Sequence, residues 1–294
     1  MSVSVVIPAF NEEAAVAAVV EQLHGILGQA QIVHEILVVD DGSGDATAER
    51  AAAAGARVVR NPTNKGYGYS LLRGIAAASH ELIAITDADS TYPAEVLPQL
   101  VTACDQYDMV IGSRTGRYYK GSWLKRLSRL AFRLLAEFTS GTRIPDINSG
   151  LRVFRRDFVL KHRKAISTGY SFTTTVTLIA LLEGCHLLYV PISYHKRVGK
   201  SKVRWARDIL RSLQIITEVI LLYNPLKFFL LLAMVPLGLV IPKVVLSEVG
   251  QAQALPYWLA YLLQCTCAAL DSAALILALG GVGFIVAAGR RSRE

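Results

Sequence analysis

An α/β domain built on a mostly parallel sheet, followed by an amphipathic helix and two membrane-spanning helices, is the fold class that this sequence predicts. Three observations predict it. Short β-branched runs alternate with Ala- and Leu-rich stretches through the first 110 residues. Acidic and basic side chains are segregated along the chain. Two long apolar stretches lie near the C-terminus.

The runs are, in order, "VSVVIP", "HEILVVDD", "ARVVRN", "ELIAITDAD" and "DMVIGSR". Apolar strands separated by helical stretches imply a parallel sheet covered on both faces. "MSVSVVIPAF" lacks the basic start of a signal peptide and its apolar run stops at Pro8, so it reads as the first strand. From about Arg117 to Arg204 the pattern changes to helices with irregular loops and many basic residues. Next, "WARDILRSLQIITEVILLY" sets Trp205, Ile209, Leu213, Ile216 and Ile220 on one helical face, with Arg204, Arg207 and Arg211 elsewhere. That pattern suits a helix lying in the headgroup layer; the alternative is an ordinary surface helix.

The stretch Leu226–Leu246 is long enough to cross a hydrocarbon core, which needs about 20 residues. Prolines at 225, 236 and 242 punctuate it, as membrane helices tolerate. A second apolar stretch runs from Tyr257 to Ala288, with the span itself at about 262–288, and ends on Gly280, Gly281 and Gly283, residues suited to helix packing. Its Asp271 is either an intramembrane functional group or the mark of where the span starts. The loop between the two stretches has no Lys or Arg, whereas Arg290, Arg291 and Arg293 follow the second. The positive-inside rule therefore puts both termini, and the soluble part, in the cytoplasm of a multi-pass protein of the plasma (inner) membrane.

The net charge of +8 conceals a strong polarity. Residues 1–110 hold 5 basic and 14 acidic side chains, residues 111–212 hold 21 and 5, and residues 213–294 hold 5 and 4. A basic half beside membrane spans suits anionic lipid or a phosphorylated substrate. Nucleic acid is disfavoured, since no zinc-finger, helix-turn-helix or aromatic-repeat signature accompanies the charge. Cys104, Cys185, Cys265 and Cys267 show neither metal spacing nor a disulfide framework, and reduced thiols are expected.

In open α/β sheets ligands bind at the carboxyl ends of the strands. The residues there are Pro8, Asn11 and Glu12, then Asp40 and Asp41, then Asn64 and Lys65, then Asp87 and Asp89, and finally Arg114. Asp87 and Asp89 flank Ala88, so on an extended segment both carboxylates point the same way, and hard oxygen ligands with open positions suit Mg²⁺ or Mn²⁺ on substrate phosphates. A solvated acidic turn is the bland alternative. Asp40 or Asp41 is placed to accept hydrogen bonds from a base or ribose, or else serves the turn, and Asp45 reads as the N-cap of the next helix. "NKGYGYSLLRG" lacks the third glycine of a dinucleotide loop and follows the third strand rather than the first, which disfavours a Rossmann dehydrogenase.

"IPAFNEE", "VVDDGSGDAT", "NPTNKGYG" and "DAD" resemble, in order and spacing, the nucleotide-sugar-binding half of family 2 glycosyltransferases with the GT-A fold. "GSRTGR", "DINSGLRVFRR" and "YVPISYHKRVGKSKVR" are similar to the polyprenyl-phosphate branch, the dolichyl-phosphate mannose synthase-like enzymes. The resemblance implies a GT-A catalytic domain over residues 1–203, with a nucleotide-sugar half (1–115) and an acceptor half (116–203). Juxtamembrane helices (204–224) and a membrane domain (225–294) follow. It implies inverting transfer of one sugar from a nucleotide diphosphate to a polyprenyl phosphate, undecaprenyl or dolichyl, with Mg²⁺ or Mn²⁺ as cofactor. Partners are then a UDP- or GDP-sugar, the lipid acceptor and the membrane, with a homo-oligomer left open.

By carry-over, Pro8, Ala9, Asn11, Glu12, Asp40, Asp41, Lys65, Gly66, Asp87, Ala88 and Asp89 hold the nucleotide sugar, and Asp87 and Asp89 the metal. Arg114, Arg126, Arg197, Ser201 and Lys202 hold the lipid phosphate, and Asp89, Arg114 and Asp146 stand nearest the reaction. Asp146 is read as a weak base or sugar ligand, or as a loop acid paired with Arg143 or Arg152. The family often places Leu-Gln after DxD; here Ser90, Thr91 and Tyr92 follow, which leaves the third metal ligand open. A processive polysaccharide synthase is the rival enzyme, but Ser201 stands where its QxxRW glutamine belongs. A non-catalytic membrane accessory protein is the rival from outside enzymology, opposed by the intact acid pairs.

Overall fold

The computed structural model describes residues 1–116 and 140–195 continuously, together with single positions between 130 and 138 and beyond 216. Residues 1–216 and 217–294 form two separate compact units. The second contributes only isolated helical positions, so apart from these both expected spans and the amphipathic helix at 204–224 lie outside the described residues. Among the described residues no helix is long and apolar enough to cross a membrane.

The first unit is an α/β sandwich whose strands follow the apolar runs. Strands β1 (Ser2–Ala9), β2 (Val33–Asp40), β3 (Arg57–Arg60) and β4 (Leu82–Ile85) are mutually parallel. Val3, Val5, Val6 and Ile7 are all fully buried, as expected of a strand covered on both faces. Helix α1 (Val16–Gln29) buries Val16, Val19, Val20, Leu23 and Leu27, a single stripe at helical spacing. Helices α2 (Thr47–Ala53) and α3 (Tyr67–Ala77) return the chain to the sheet after β2 and β3. Gly74 of α3 has no room for a Cβ against Val6 and Val39, so that helix lies close on the strands. A short 3₁₀ turn and α4 (Leu97–Ala103) lead into β5 (Met109–Thr115).

The second half departs from the expectation of helices and loops, because it completes the sheet. Strand β6 (Arg152–Arg155) enters antiparallel between β4 and β5, and β7 (Leu187–Ser193) pairs parallel with β5. Between them lie helices α5 (Arg156–Lys161) and α6 (Phe172–Leu182). The seven strands run in the order β3-β2-β1-β4-β6-β5-β7. One sheet thus passes through both halves. Because β6 runs against its neighbours, it starts at the edge where the parallel strands end. The 146–150 segment is thereby delivered to the carboxyl edge.

Candidate active site

At that edge the loops after β1 and β2 are fastened together. The backbone N–H of Asn11 (φ 51°) donates to Ser43 Oγ (2.9 Å), and Asn11 Oδ1 accepts from Gly44 N–H (2.9 Å). Glu12 N–H reaches Thr47 Oγ1 (2.8 Å). Asp45 stands one residue outside the expected N-cap position, which Ala46 occupies. It still serves the start of α2, accepting from Thr47 N–H (3.1 Å) and from Glu13 N–H (3.4 Å).

Both acids at the end of β2 are buried and engaged by the protein. Asp40 Oδ1 accepts from Ser43 N–H (3.0 Å), and its Oδ2 lies 2.9 Å from Arg60 Nε without hydrogen-bond alignment. Asp41 Oδ1 accepts from Asn61 Nδ2 (2.7 Å) and Lys65 N–H (2.9 Å), and Oδ2 from Gly66 N–H (2.8 Å). Turn chemistry therefore accounts for Asp41. Its carboxylate holds Gly66 at φ 103°, a conformation open to glycine, which sets the first turn of α3. Lys65 turns an exposed side chain to solvent. Pro8 and Ala9 end β1 in register with Val39 and Asp40.

Asp87 and Asp89 lie beyond β4, which ends at Ile85, and Ala88–Asp89 form a turn rather than an extended strand. The alternation argument for their common direction therefore does not apply. Asp87 is half-buried and Oδ1 accepts from Tyr67 Oη (3.2 Å). A Cβ on Gly150 would sit 3.1 and 3.2 Å from the two Asp87 oxygens, so glycine is what lets the 146–150 segment approach that carboxylate. Asp89 is buried, and its Oδ1 accepts from Thr91 N–H (3.1 Å) and Oγ1 (2.6 Å).

The Ser-Thr-Tyr triplet that replaces Leu-Gln is thus structural support. Ser90 takes a positive φ of 59°, Thr91 fixes Asp89 and accepts His195 N–H (2.9 Å), and Tyr92 Oη accepts Gly150 N–H (2.6 Å). Burial pushes the Tyr92 phenol far up, so it stays protonated. Among the described residues no cluster of three His, Cys, Asp or Glu has ligating geometry. Two carboxylates within one turn still fit a hard cation, because magnesium and manganese complete their shells with water and phosphate oxygen.

Arg114 and Asp146 form the second focus. Arg114 Nε and Nη2 bind Asp146 Oδ2 (2.7 Å) and Oδ1 (2.9 Å) side by side, with side-chain exposures of 14% and 2%. Backbone N–H groups of Arg114 (3.1 Å) and Asn148 (3.2 Å) complete the shell of the acid. The partner of Asp146 is therefore Arg114, not Arg143 or Arg152, because β5 and the 146–150 segment meet at one edge. With both oxygens taken, Asp146 is built as an anchor rather than as a proton acceptor. The Arg114 guanidinium also lies 5.5 Å from the centre of the Tyr194 ring. Arg126, Arg197, Ser201 and Lys202 fall outside the described residues.

The roles of two residues were not read from the sequence. Arg152 is fully buried and donates to the carbonyls of Ile147 (3.3 Å), Ser149 (2.6 Å) and Thr173 (3.1 Å) and to Thr177 Oγ1 (2.9 Å). Tyr67 reaches Asp87 from α3, and the "KGYG" glycines around it are the only sequence signal that its backbone is special. Cys104 is buried and its thiol is pushed up to about 11 by burial, as an inert core thiol.

A family model described as Glycosyl transferase family 2 matches residues 4–163, more than half of the chain. The chain belongs to glycosyl transferase family 2. This transferase is 36% identical over 208 residues to the low-salt glycan biosynthesis hexosyltransferase Agl6 of Haloferax volcanii, covering 69% of this chain and 50% of that relative. It spans only half the length of that protein. It is 32% identical over 206 residues to the dolichyl-phosphate hexose transferase of the same organism, covering 68% of this chain and 86% of the relative.

Among solved structures it is similar to glucosyl-3-phosphoglycerate synthase of Mycobacterium tuberculosis, crystallised with Mn²⁺, UDP-glucose and phosphoglyceric acid. The identity is 26% and the TM-score 0.58, covering 74% of this chain and 78% of that one. Mannosyl-3-phosphoglycerate synthase of Rubrobacter xylanophilus shares the fold, with 20% identity and a TM-score of 0.60, covering 75% of this chain and 72% of that one.

Proposed function

We propose that this family 2 glycosyltransferase moves one hexose, with inversion, from a UDP- or GDP-sugar to the phosphate of a membrane polyprenol. One observation carries the reading: the Asp87–Asp89 turn and the Arg114–Asp146 pair converge on one sheet edge through the 146–150 segment. The name of the dolichyl-phosphate hexose transferase, aligned over most of its length, supports the acceptor class.

A phosphate oxygen of the acceptor attacks the anomeric carbon. The new C–O bond forms as the bond to the nucleoside diphosphate breaks, and no proton need be removed from an already ionised nucleophile. The site therefore needs positioning and charge more than it needs a base. Asp87 and Asp89 would hold Mg²⁺ or Mn²⁺, which when bound neutralises the departing diphosphate. Arg114, fixed by Asp146, supplies guanidinium donors at the acceptor side, and by carry-over from the family the basic residues 126, 197 and 202, which lie outside the described residues, would supply the net positive charge. The two apolar stretches anchor the chain in the plasma membrane, with the catalytic unit and both termini cytoplasmic.

The test incubates the full chain in detergent with undecaprenyl or dolichyl phosphate and a panel of labelled UDP- and GDP-sugars, with and without EDTA. Label is expected in a lipid-extractable sugar phosphate, lost with EDTA and with Asp89→Ala. Label on 3-phosphoglycerate in place of lipid would replace the acceptor, and failure of every donor would favour the accessory-protein reading.

A further inference from the structure

Tyr67 is held more firmly than a packing residue of a helix start requires. Immediately before it, Lys65 and Gly66 donate their N–H groups to Asp41 (2.9 and 2.8 Å). Two residues after it, Tyr69 N–H donates to the Thr168 carbonyl (2.8 Å), and Gly68 is pressed against the carbonyls of Ser167 and Gly169, where a Cβ would lie 2.5 and 2.7 Å away. The ring of Tyr67 is parallel to that of Tyr170, with an interplanar angle of 1° and centroids 6.0 Å apart. Backbone and ring are thus both fixed, and the consequence is one contact: the phenol oxygen 3.2 Å from Asp87 Oδ1.

A carboxylate serving a cation has to present a chosen oxygen, and partners that hydrogen-bond the ligand set that choice. Gly150 approaches the same carboxylate so closely that a Cβ there would lie 3.1 and 3.2 Å from its two oxygens.

We infer that Tyr67 is a positioning residue: its hydroxyl engages Asp87 Oδ1, with the ring braced by Tyr170, so that the carboxylate presents its other oxygen to a divalent cation. The inference rests on the metal-dependent reading of the site and adds a residue to it. It also makes the 167–171 segment, between α5 and α6, part of the donor side.

The variant Tyr67→Phe removes one oxygen and keeps the ring and its stacking. Mn²⁺ is titrated into the full chain with saturating UDP, and separately with GDP, and free Mn²⁺ is read by electron paramagnetic resonance. Side chains that hydrogen-bond a carboxylate ligand of a metal are worth about 10- to 100-fold in metal affinity. The expected result is a Kd for Mn²⁺ raised about 10-fold, an equal rise in the Mn²⁺ needed for half-maximal transfer, and a Tm within a degree or two of wild type. Tyr170→Leu keeps the hydroxyl and loosens the ring, and should give a smaller shift in the same direction. Tight Mn²⁺ binding by wild type with an unchanged Kd in Tyr67→Phe overturns the Tyr67 inference alone. Absence of Mn²⁺ binding in wild type with either nucleotide overturns the metal reading and the inference with it.

Discussion

Replacing Arg152 by methionine tests how the 146–150 segment is held. The guanidinium is fully buried, and among the described residues no carboxylate lies within ion-pair distance of it. Its acceptors are chiefly main-chain carbonyls, which no compensating mutation can delete. Methionine fills similar space and donates nothing. Thr173 O keeps the Thr177 hydroxyl (2.8 Å), but the carbonyls of Ile147 and Ser149 lose the donors that Arg152 supplies.

Each buried carbonyl left bare costs about 1–3 kcal/mol, which puts the loss at about 2–6 kcal/mol. Relief from burying a cation offsets part of this; burial already lowers the Arg152 pKa. The net expectation is about 3 kcal/mol, or a Tm lower by about 6–12 °C for a unit of this size. Transfer activity should fall further than the folded fraction, because Asp146 and Gly150 ride on the same segment. Thermal unfolding followed by circular dichroism, with kcat/KM measured well below Tm, separates the two effects. Wild-type stability together with wild-type kcat/KM in Arg152→Met would refute the reasoning.

Other outcomes follow from the same geometry. Gly150→Ala adds a methyl 3.1–3.2 Å from Asp87 and Tyr92, so kcat/KM should drop about 10-fold or more while Tm changes little, checked by kinetics and thermal scans. Asp146→Asn strips a nearly buried guanidinium of its counter-charge and should cost about 3 kcal/mol, with the double variant Arg114→Met/Asp146→Asn costing less than the sum of the two singles in urea unfolding. Burial tends to raise the Glu35 pKa, but hydrogen bonds from Ser4 and Ser79 and the charge of Arg57 prevail and hold it below the ordinary value. Its contribution is present above the unfolded-state pKa and lost as pH falls through the folded-state one. Glu35→Gln should therefore destabilise at neutral pH, and the difference from wild type should close in acid.

The strands β1 to β5 were legible because each holds an apolar run between helical stretches, and β1, β4 and β5 are buried along most of their length. The carboxyl-edge residues followed from that alone, since topology sends the ends of β1 to β4 to one side. Strand β6 was not legible. Four residues, "RVFR", carry no period, and the first is a charged side chain whose burial depends on carbonyls of the 147–149 segment and of α6. The Arg114–Asp146 pair joins residues 32 apart and exists only once β6 is placed. Tyr67 was hidden for a different reason: a tyrosine at a helix start looks like packing until β4 brings Asp87 to its hydroxyl.

The most direct test is anomalous diffraction from crystals of the full chain grown with Mn²⁺, a nucleoside diphosphate and a short-chain polyprenyl phosphate. The account predicts a manganese peak bonded to carboxylate oxygens of Asp87 and Asp89 and to the diphosphate, with the lipid phosphate on the Arg114 side. A peak bonded elsewhere, with the nucleotide away from the carboxyl edge of β1 to β4, would contradict it.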